Sequence, residues 1–504
     1  MNKRISSVSV SLERHQLSRM LFAHALVVSI LCFAIFTGCQ REETEVLPAR
    51  APDQSIPDQS NPEQSTSLEK QSNAGGRSND GTAATGEPGG VSGPSNHKQP
   101  ARAVGRGQRS ADQLREAALQ ALGNGQDDLA FECVRQAIRI EPENPQIVFL
   151  FAMVLGDRHR YAEAIQLLQE LSAREPTTRL PALGQTAEWM VESGRYDEAE
   201  LQFRSVLTEV PDALMVHHRL GQLLLQTGRR TEAAVHFDFL SQFGDLDHEE
   251  LRSLLIRTQA FPGDDGVTRF DPLNNLAMCR QELADGKTAQ VVEVFVAAGD
   301  ANSDAEQALL ARLLAEQHEF EDVRKWIENL EMAKAGADGW FAKGCLALND
   351  SELKVAVACF CQTLLLDQTD VDAYRMLSRT LELTGERTIA EALVARAGLV
   401  EETRRLGVEL VGDRAKDLEL IQQLAQALMK LNRPMEALGW QTIGLVHAVE
   451  AAVITDTQAQ ATFETIGRQR EQLVKSERHR VNPEFVLCGL GAEVLAPITK
   501  KSTE

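Results

Sequence analysis

The sequence lacks an excess of positive charge. Its formal net charge is −21 at pH 7, and without the N-terminal leader described below the remaining chain carries −24. Proteins that bind nucleic acid need clustered lysine and arginine to displace counterions from phosphates. The charge balance therefore argues against nucleic acid and anionic lipid as direct partners. It leaves a basic partner open, although acidic charge most often serves to keep a surface soluble.

The sequence also lacks the motifs of common enzymes. It contains no phosphate-binding loop, no glycine-rich dinucleotide turn and no nucleophile elbow. The segment Asp245–Glu250 fails as a calcium loop because Glu250 stands where glycine is required. His217, His218 and His236 do not form a predicted zinc site, because adjacent helical residues diverge by about 100°. We predict a non-enzyme without metal, cofactor or small-molecule substrate, the alternative being an enzyme hidden in the middle of the chain.

Cysteine is scarce, with eight residues in 504. Cys32 and Cys39 belong to the N-terminal region, and six remain in the body. Cys359 and Cys361 lie two apart in a predicted helix and point in different directions, so they cannot form a metal knuckle. We predict buried thiols that fill the core, with one disulfide in an exported body as the alternative.

A repeat of about 34 residues dominates what the sequence does contain. Alanines recur at intervals of 34, 35 and 34 residues: Ala130, Ala164, Ala199 and Ala233. The residues five positions ahead of them recur as well: Gly125, His159, Gly194 and Gly228. A fixed period of this length indicates an array of helix-turn-helix units, none of which can bury its apolar face alone.

One unit illustrates the physical basis of the pattern. Ala199 and Phe203 are four residues apart and share a helix face, where the small alanine allows a second helix to approach closely. Gly194 permits a left-handed turn before this helix, and Pro211 ends it. These spacings resemble the tetratricopeptide repeat, whose signature positions carry small residues, glycine, alanine, phenylalanine and proline.

The resemblance continues further along the chain. Two later units match the signature, one through Trp340, Gly344, Ala356 and Phe360, the other through Tyr374, Leu377, Gly385 and Ala390. Between the two blocks we expect degenerate helical pairs, with Val291 and Val323 in place of alanine. The resemblance implies an all-α fold, a right-handed α-solenoid of tetratricopeptide-like helix-turn-helix repeats after a disordered N-terminal tether.

The N-terminus has the features of an export signal. Basic residues precede an uncharged stretch from Met20 to Gly38, and the residues from Phe36 to Cys39 resemble a bacterial lipobox. The resemblance implies cleavage before Cys39, its lipidation, and a membrane-anchored lipoprotein facing the periplasm. Gln40 favours the outer over the inner membrane. An uncleaved anchor is the alternative, because the apolar run is close to the ~18 residues that span a bilayer.

Composition and repeats divide the chain into seven predicted segments. Residues 39–109 are rich in polar residues, proline and glycine, and cannot bury enough apolar surface to offset their ordering entropy. The segments are a signal peptide (1–38), a disordered tether (39–109), four repeats (110–245), a connector (246–272), degenerate repeats (273–336), a second repeat block (337–450) and a C-terminal helix and tail (451–504). We expect the apolar peptide from Asn482 to Leu490 to cap the last repeat, the alternative being that it docks on a partner.

In the resembling family, the first helix of each unit lines a concave groove. Carried over by position, this groove consists of Phe149, Met153, Glu188, Glu192, His218, Gln222, Phe341, Arg375 and Arg379. The basic carboxylate clamp of chaperone-binding members is missing from these positions. A mixed apolar and polar groove suits an extended or helical segment of another protein.

We therefore predict a protein-binding scaffold or adaptor, held at the cell envelope by lipidated Cys39. The alternative is a structural subunit of an envelope assembly or secretion machine.

Overall fold

A computed structural model describes residues 109–261, 270–299, 302–329 and 336–499. Within these ranges the chain is helical and has no strand, which confirms the predicted all-α class. The described residues up to Pro142 form one compact unit, and those from Glu143 onward form a second. The predicted signal peptide, Cys39 and nearly all of the predicted tether lie outside the described residues. No described helix is long and apolar enough to cross a membrane.

The first unit is a single helical hairpin, and the second unit begins with three more. The first unit comprises α1 (Ala111–Gly123) and α2 (Asp127–Ile140). In the second unit, the hairpins that we call the first array are α3 (Pro145–Asp157), α4 (Tyr161–Arg174), α5 (Arg179–Glu192), α6 (Tyr196–Glu209), α7 (Leu214–Gln226) and α8 (Arg230–Ser241).

A short helix, α9 (His248–Ser253), follows, and we use the name connector for the described residues 246–261 that contain it. The second array then contains five hairpins: α10 (Asn275–Ala284), α11 (Thr288–Ala298), α12 (Asp304–Glu316), α13 (Phe320–Asn329), α14 (Gly336–Asn349), α15 (Leu353–Leu366), α16 (Val371–Thr384), α17 (Arg387–Glu409), α18 (Leu418–Lys430) and α19 (Pro434–Glu450). The chain ends in α20 (Asp456–Lys475), α21 (Pro483–Val486) and α22 (Ala496–Thr499).

The turn inside each hairpin uses a left-handed residue. Positive φ angles occur at the equivalent turn position of each described hairpin, namely at Gly125, His159, Gly194, Gly228, Gly286, His318, Ser351, Gly385 and Asn432. Glycine is favoured there because it lacks the Cβ that makes this conformation costly. The predicted turn register is therefore confirmed, and it extends through the degenerate middle of the chain.

The two helices of a hairpin approach through a small residue. A Cβ added at Gly221 would lie 2.8 Å from Cε1 of Phe237, and one added at Gly344 would lie 2.6 Å from Cε1 of Phe360. Both phenylalanines are fully buried, as are the repeat alanines such as Ala199. The same contact thus forms in both arrays, as expected for tetratricopeptide-type repeats.

The second array returns to the hairpin formed by α7 and α8. At its start, the backbone N–H of Leu273 donates to the carbonyl of Gln226 at 2.8 Å, and Nε of Arg280 donates to the carbonyl of Gly228 at 2.8 Å. At its end, α19 packs against both α8 and α9. The connector therefore lies where both ends of the second array meet the first.

The C-terminal peptide does not sit at the end of the array. Residues of α21 and α22 pack on α15, so the expectation that this peptide caps the last repeat is wrong. Helix α15 is apolar on more than one side, with Val357, Cys359 and Cys361 all buried, and a helix that is apolar all round requires cover on more than one side. Among the described cysteines all thiols are free, and only Cys488 is partly exposed.

Candidate partner-binding surfaces

Of the four predicted groove residues on α3 and α5, three are accessible and Met153 belongs to the core. Phe149 and Glu188 are half-buried, Glu192 is exposed, and Met153 is buried with 6% of its surface accessible. Met215 lies one turn before the predicted His218 on α7 and is 61% exposed. We call these accessible residues on the first helices of three successive hairpins, Phe149, Glu188, Glu192 and Met215, the acidic face.

Electrostatics distinguish this face from the rest of the array. An ion pair joins Oε1 of Glu188 to Nε of Arg219 at 2.9 Å. Burial raises the pKa of Glu188, and the nearby carboxylate of Glu192 raises it further, while Arg219 acts in the opposite direction. The pKa of Tyr161 is raised by burial and then by Glu192 and Asp157. The carboxylate of Glu192 thus acts on both Glu188 and Tyr161 and places a negative charge on this face.

The other two predicted residues of the first array contact the connector. Nδ1 of His218 and Nε2 of Gln222 each lie 2.9 Å from Oε1 of Glu250, and Nε2 of His218 lies 3.1 Å from Asp245. Burial opposes the charged form of His218, but the two carboxylates outweigh it and raise its pKa. At α7, therefore, the predicted groove residues bind this chain itself.

In the second array the predicted residues separate into two groups. Phe341 is buried, with 2% of its surface accessible, and packs between the Phe360 ring and the Arg312 guanidinium, which lies 4.0 Å above its ring centre. It is part of the core and does not line an open groove. Arg375 and Arg379 are exposed.

A buried network of arginines and carboxylates crosses the inner helices of the second array. Arg280 on α10 and Arg312 on α12 both bind Asp338, at 2.8 Å and 3.4 Å. Arg312 also binds Asp370, the N-cap residue of α16, at 2.5 Å. Burial alone would raise the pKa of Asp338, but the two arginines lower it. Each buried charge is compensated, as the low dielectric of a protein interior requires.

The connector fills the space beside this network. Every residue from Glu250 to Thr258 is buried, although the chain is non-helical after Ser253. Arginine side chains satisfy its carbonyl groups: Arg433 donates to Leu254 at 2.8 Å, and Arg280 donates to Thr258 at 2.6 Å.

The connector's own arginines are bound in turn. Arg257 forms two hydrogen bonds of 2.8 Å with Asp238 on α8 and lies 3.6 Å from Glu436 on α19. Arg252 donates to the carbonyl of Gly407 at 2.7 Å and stacks 3.9 Å above the Phe261 ring. Sequence reasoning missed this arrangement, and the repeat signature contains no signal for it, because the partners come from distant parts of the chain.

Histidines do not assemble a metal centre in the part of the chain that the structure describes, where no group of three or more candidate ligands was found. His217 and His236 form a pair whose Nδ1 atoms are 2.9 Å apart. Burial, followed by repulsion from His217, lowers the pKa of His236 to about 4. Burial also lowers the pKa of His217, so both rings are neutral at pH 7.

Comparison with solved structures finds repeat proteins at low overall similarity. A tetratricopeptide repeat protein from Parabacteroides merdae is 16% identical, with 54% of this chain and 98% of that chain covered and a TM-score of 0.26. The complex of the yeast Sti1 TPR2AB domain with pHSP90 gives 14% identity, coverages of 63% and 98%, and a TM-score of 0.28. The APC/C hetero-tetramer Cut9–Hcn1 is 16% identical, with 68% of this chain and 80% of that chain covered and a TM-score of 0.27.

No family model and no curated protein matches the sequence. The TM-scores are low, so the tetratricopeptide-type fold assignment rests on the repeated turns and hairpin contacts described above.

Proposed function

We propose that this chain is a non-catalytic scaffold that binds another protein through the acidic face of the first array. The observation that carries the proposal is the accessibility of apolar side chains and carboxylates on the first helices α3, α5 and α7, with Met215 61% exposed and Phe149 half-buried. Apolar anchors surrounded by polar groups are typical of protein interfaces.

We further propose that the scaffold is tethered to the bacterial cell envelope through lipidated Cys39. The basic start, the uncharged stretch and the sequence Phe36 to Cys39 support this. Globomycin treatment should cause an unprocessed precursor to accumulate, and Cys39→Ala should abolish labelling by a radioactive fatty acid. An unchanged mobility and retained label would refute lipidation.

Protein binding is tested by crosslinking in intact cells followed by capture of the tagged full chain. The variant Phe149→Ala/Met215→Ala removes the apolar anchors of the acidic face, and the crosslinked partner should disappear. A matched control, Leu201→Ala/Val235→Ala, truncates two side chains that are 68% and 65% exposed on second helices. The control should retain the partner. Equal capture by both variants would contradict binding at this face.

A further inference from the structure

Helix α9 lies between the last hairpin of the first array and the last hairpin of the second. On one side, Oε1 of its Glu250 lies 2.9 Å from Nδ1 of His218 and 2.9 Å from Nε2 of Gln222, both on α7. On the other side, Leu251 is buried against α19, where a Cβ added at Gly439 would lie 2.7 Å from its Cδ2 atom. What holds α9 on α7 therefore also holds the two hairpins together.

Glu250 receives hydrogen bonds on both of its carboxylate oxygens. Its side chain is 1% exposed, and besides the contacts of Oε1 its Oε2 accepts from the backbone N–H of Asp247 at 3.2 Å. An ionised carboxylate only accepts, so donors on both oxygens favour the ionised form. Burial raises the pKa of Glu250, but the bonds from His218 and Gln222 outweigh burial and lower it.

Both ring nitrogens of His218 face a carboxylate. Nδ1 faces Glu250, and Nε2 lies 3.1 Å from Oδ2 of Asp245, which precedes the connector. A neutral imidazole has one N–H and one lone pair, so it can donate to only one of these carboxylates. The geometry of the site therefore requires the doubly protonated, positively charged ring.

The other charged and titratable groups around α7 and α9 bind elsewhere or add negative charge. Asp247 and Glu249 are further carboxylates of the α9 N-terminus. The remaining contacts are those of Arg219 with Glu188 on α5, Glu200 and Arg204 on α6 with Arg229 and Glu232, His217 with His236 on α8, Asp238 on α8 with Arg257, Arg252 with Gly407 on α17, His447 on α19 with Glu450, and Arg470 on α20 with Gly244. The acidic groups bonded to the His218 ring are thus Glu250 and Asp245.

We propose that His218 is a pH-sensitive latch: its positively charged ring holds α9 on α7, and loss of its proton loosens α9 and with it the contact between the first array and α19. The neutral ring can still donate to Glu250, but its second nitrogen then presents a lone pair to Asp245. The buried carboxylate of Glu250 also loses the positive charge beside it, and such a loss is costly in a protein interior.

The direction of the pH response follows from the contacts of the ring. Burial opposes the charge of His218, yet the two carboxylates raise its pKa above the usual 6.5. The contribution of the latch to stability is therefore fully present below about pH 6.5 and is lost as the pH rises through the pKa of the folded chain. The neighbouring His217 and His236 respond in the opposite direction, because burial lowers the pKa of both.

Hydrogen exchange of the full chain, purified in a non-ionic detergent, tests the latch. Mass spectrometry at pH 6.0 and pH 8.5, with exchange times corrected for the intrinsic effect of pH, should show that the protection of α9 falls by about threefold or more at the higher pH. The protection of α3 and α4 should stay constant. Unchanged protection of α9 between the two pH values would overturn the proposal.

Two histidine variants locate the titrating group. His218→Gln cannot carry the charge, so α9 should be weakly protected at both pH values and should lose its pH response. The matched control is His236→Gln, which removes a neighbouring ring whose pKa of about 4 lies below the range of the experiment. This control should keep the response of the wild type. A wild-type response in His218→Gln would refute the assignment to His218.

A third variant keeps the test decisive if His218→Gln does not fold. Asp245 is 54% exposed, so Asp245→Asn removes one of the two carboxylates without opening the core. It should lower the pH at which α9 loosens, because the charged ring loses one of its two partners. An unchanged midpoint in a folded Asp245→Asn variant would contradict the latch.

Discussion

The two arrays share their hairpin construction and differ in what covers their inner helices. In both arrays, a phenylalanine ring on the second helix of a hairpin packs against a glycine on the first helix, as at Gly221 and Gly344. The first array leaves Glu192 and Met215 exposed, whereas the second buries Phe341 and a charged network beside the connector and leaves only Arg375 and Arg379 of its predicted groove residues exposed. A repeat signature therefore determines how hairpins pack and leaves open which inner surfaces remain available.

The strongest test of this difference is Arg312→Ala in the second array. Arg312 is 3% exposed and compensates both Asp338 and Asp370. Removing one member of a buried ion pair leaves an uncompensated charge, so we expect a loss of about 3–5 kcal/mol in the free energy of unfolding. Urea denaturation followed by tryptophan fluorescence measures it.

A second variant checks that cause. Arg312→Met/Asp370→Asn removes both charges together, and replacing a buried pair by groups of similar volume is often close to neutral. This double variant should be clearly more stable than Arg312→Ala. If it is equally unstable, lost packing against the Phe341 ring, and not an uncompensated charge, explains the effect.

The next test concerns what the arrays share. Gly221→Ala and Gly344→Ala each place a Cβ within 3 Å of a buried phenylalanine ring. Overpacking of this kind costs about 1–3 kcal/mol, and the loss should be similar in the two arrays. Differential scanning calorimetry measures the two midpoints. Companion substitutions Phe237→Leu and Phe360→Leu should recover part of the loss, and a strong effect in only one array would contradict a shared hairpin core.

The packing within hairpins, which the two arrays share, was predictable from the sequence. The buried connector, which distinguishes the second array, was not. Gly194, Ala199 and Phe203 act within one hairpin, so their spacing predicts their contact. Even the degenerate middle follows the pattern, since Val291 and Val323 take the alanine position and are fully buried. Local chemistry is sufficient there because each unit packs mainly on its sequence neighbours.

The connector illustrates why the rest was missed. Arg252 and Arg257 would be expected on the surface, since arginine is almost never fully buried unless paired. Their partners are Gly407, Asp238 and Glu436. A related bond, from Arg433 to the carbonyl of Leu254, joins residues that are 179 positions apart in the chain. No periodicity connects such positions, so the burial of the connector appears only in three dimensions. Phe341, assigned to the groove by its repeat position, is a core residue because Phe360 of its own hairpin and Arg312 of the preceding hairpin cover its ring.

A smaller effect is expected from pH at the histidine pair of the first array. The pKa of His236 is about 4 in the folded chain, below the usual 6.5. Between these two pH values His236 binds more protons in the unfolded chain than in the folded chain. The contribution of neutral His236 to the free energy of unfolding is therefore fully present above about pH 6.5 and is lost as the pH falls toward 4. On acidification the wild type should lose on the order of 1 kcal/mol of its free energy of unfolding through His236, a value discounted for partial exposure, and His236→Gln should not show this loss.

The comparison is made between melting temperatures at pH 7.5 and pH 4.5. The melting temperature of the wild type should fall more on acidification than that of His236→Gln. In the connector, His248 also has a pKa of about 4, caused by burial and then by Arg252, so His248→Gln should act in the same direction. Parallel pH profiles for His236→Gln and wild type would show that the ring of His236 titrates normally.

The smallest effect should come from the surface ion pairs, and it should be the same in both arrays. Arg204 binds Glu232 at 3.1 Å with both side chains more than 40% exposed, and in the second array Arg324 binds Asp350 at 2.9 Å with side chains that are 43% and 29% exposed. Exposed pairs contribute about 0.2–1 kcal/mol and are screened by salt. Arg204→Ala and Arg324→Ala should therefore shift the urea midpoint slightly, and 0.5 M NaCl should reduce both shifts. A large, salt-resistant loss from either would mean that exposure does not separate weak from strong arginine pairs here, and the contrast with Arg312 would lose its physical basis.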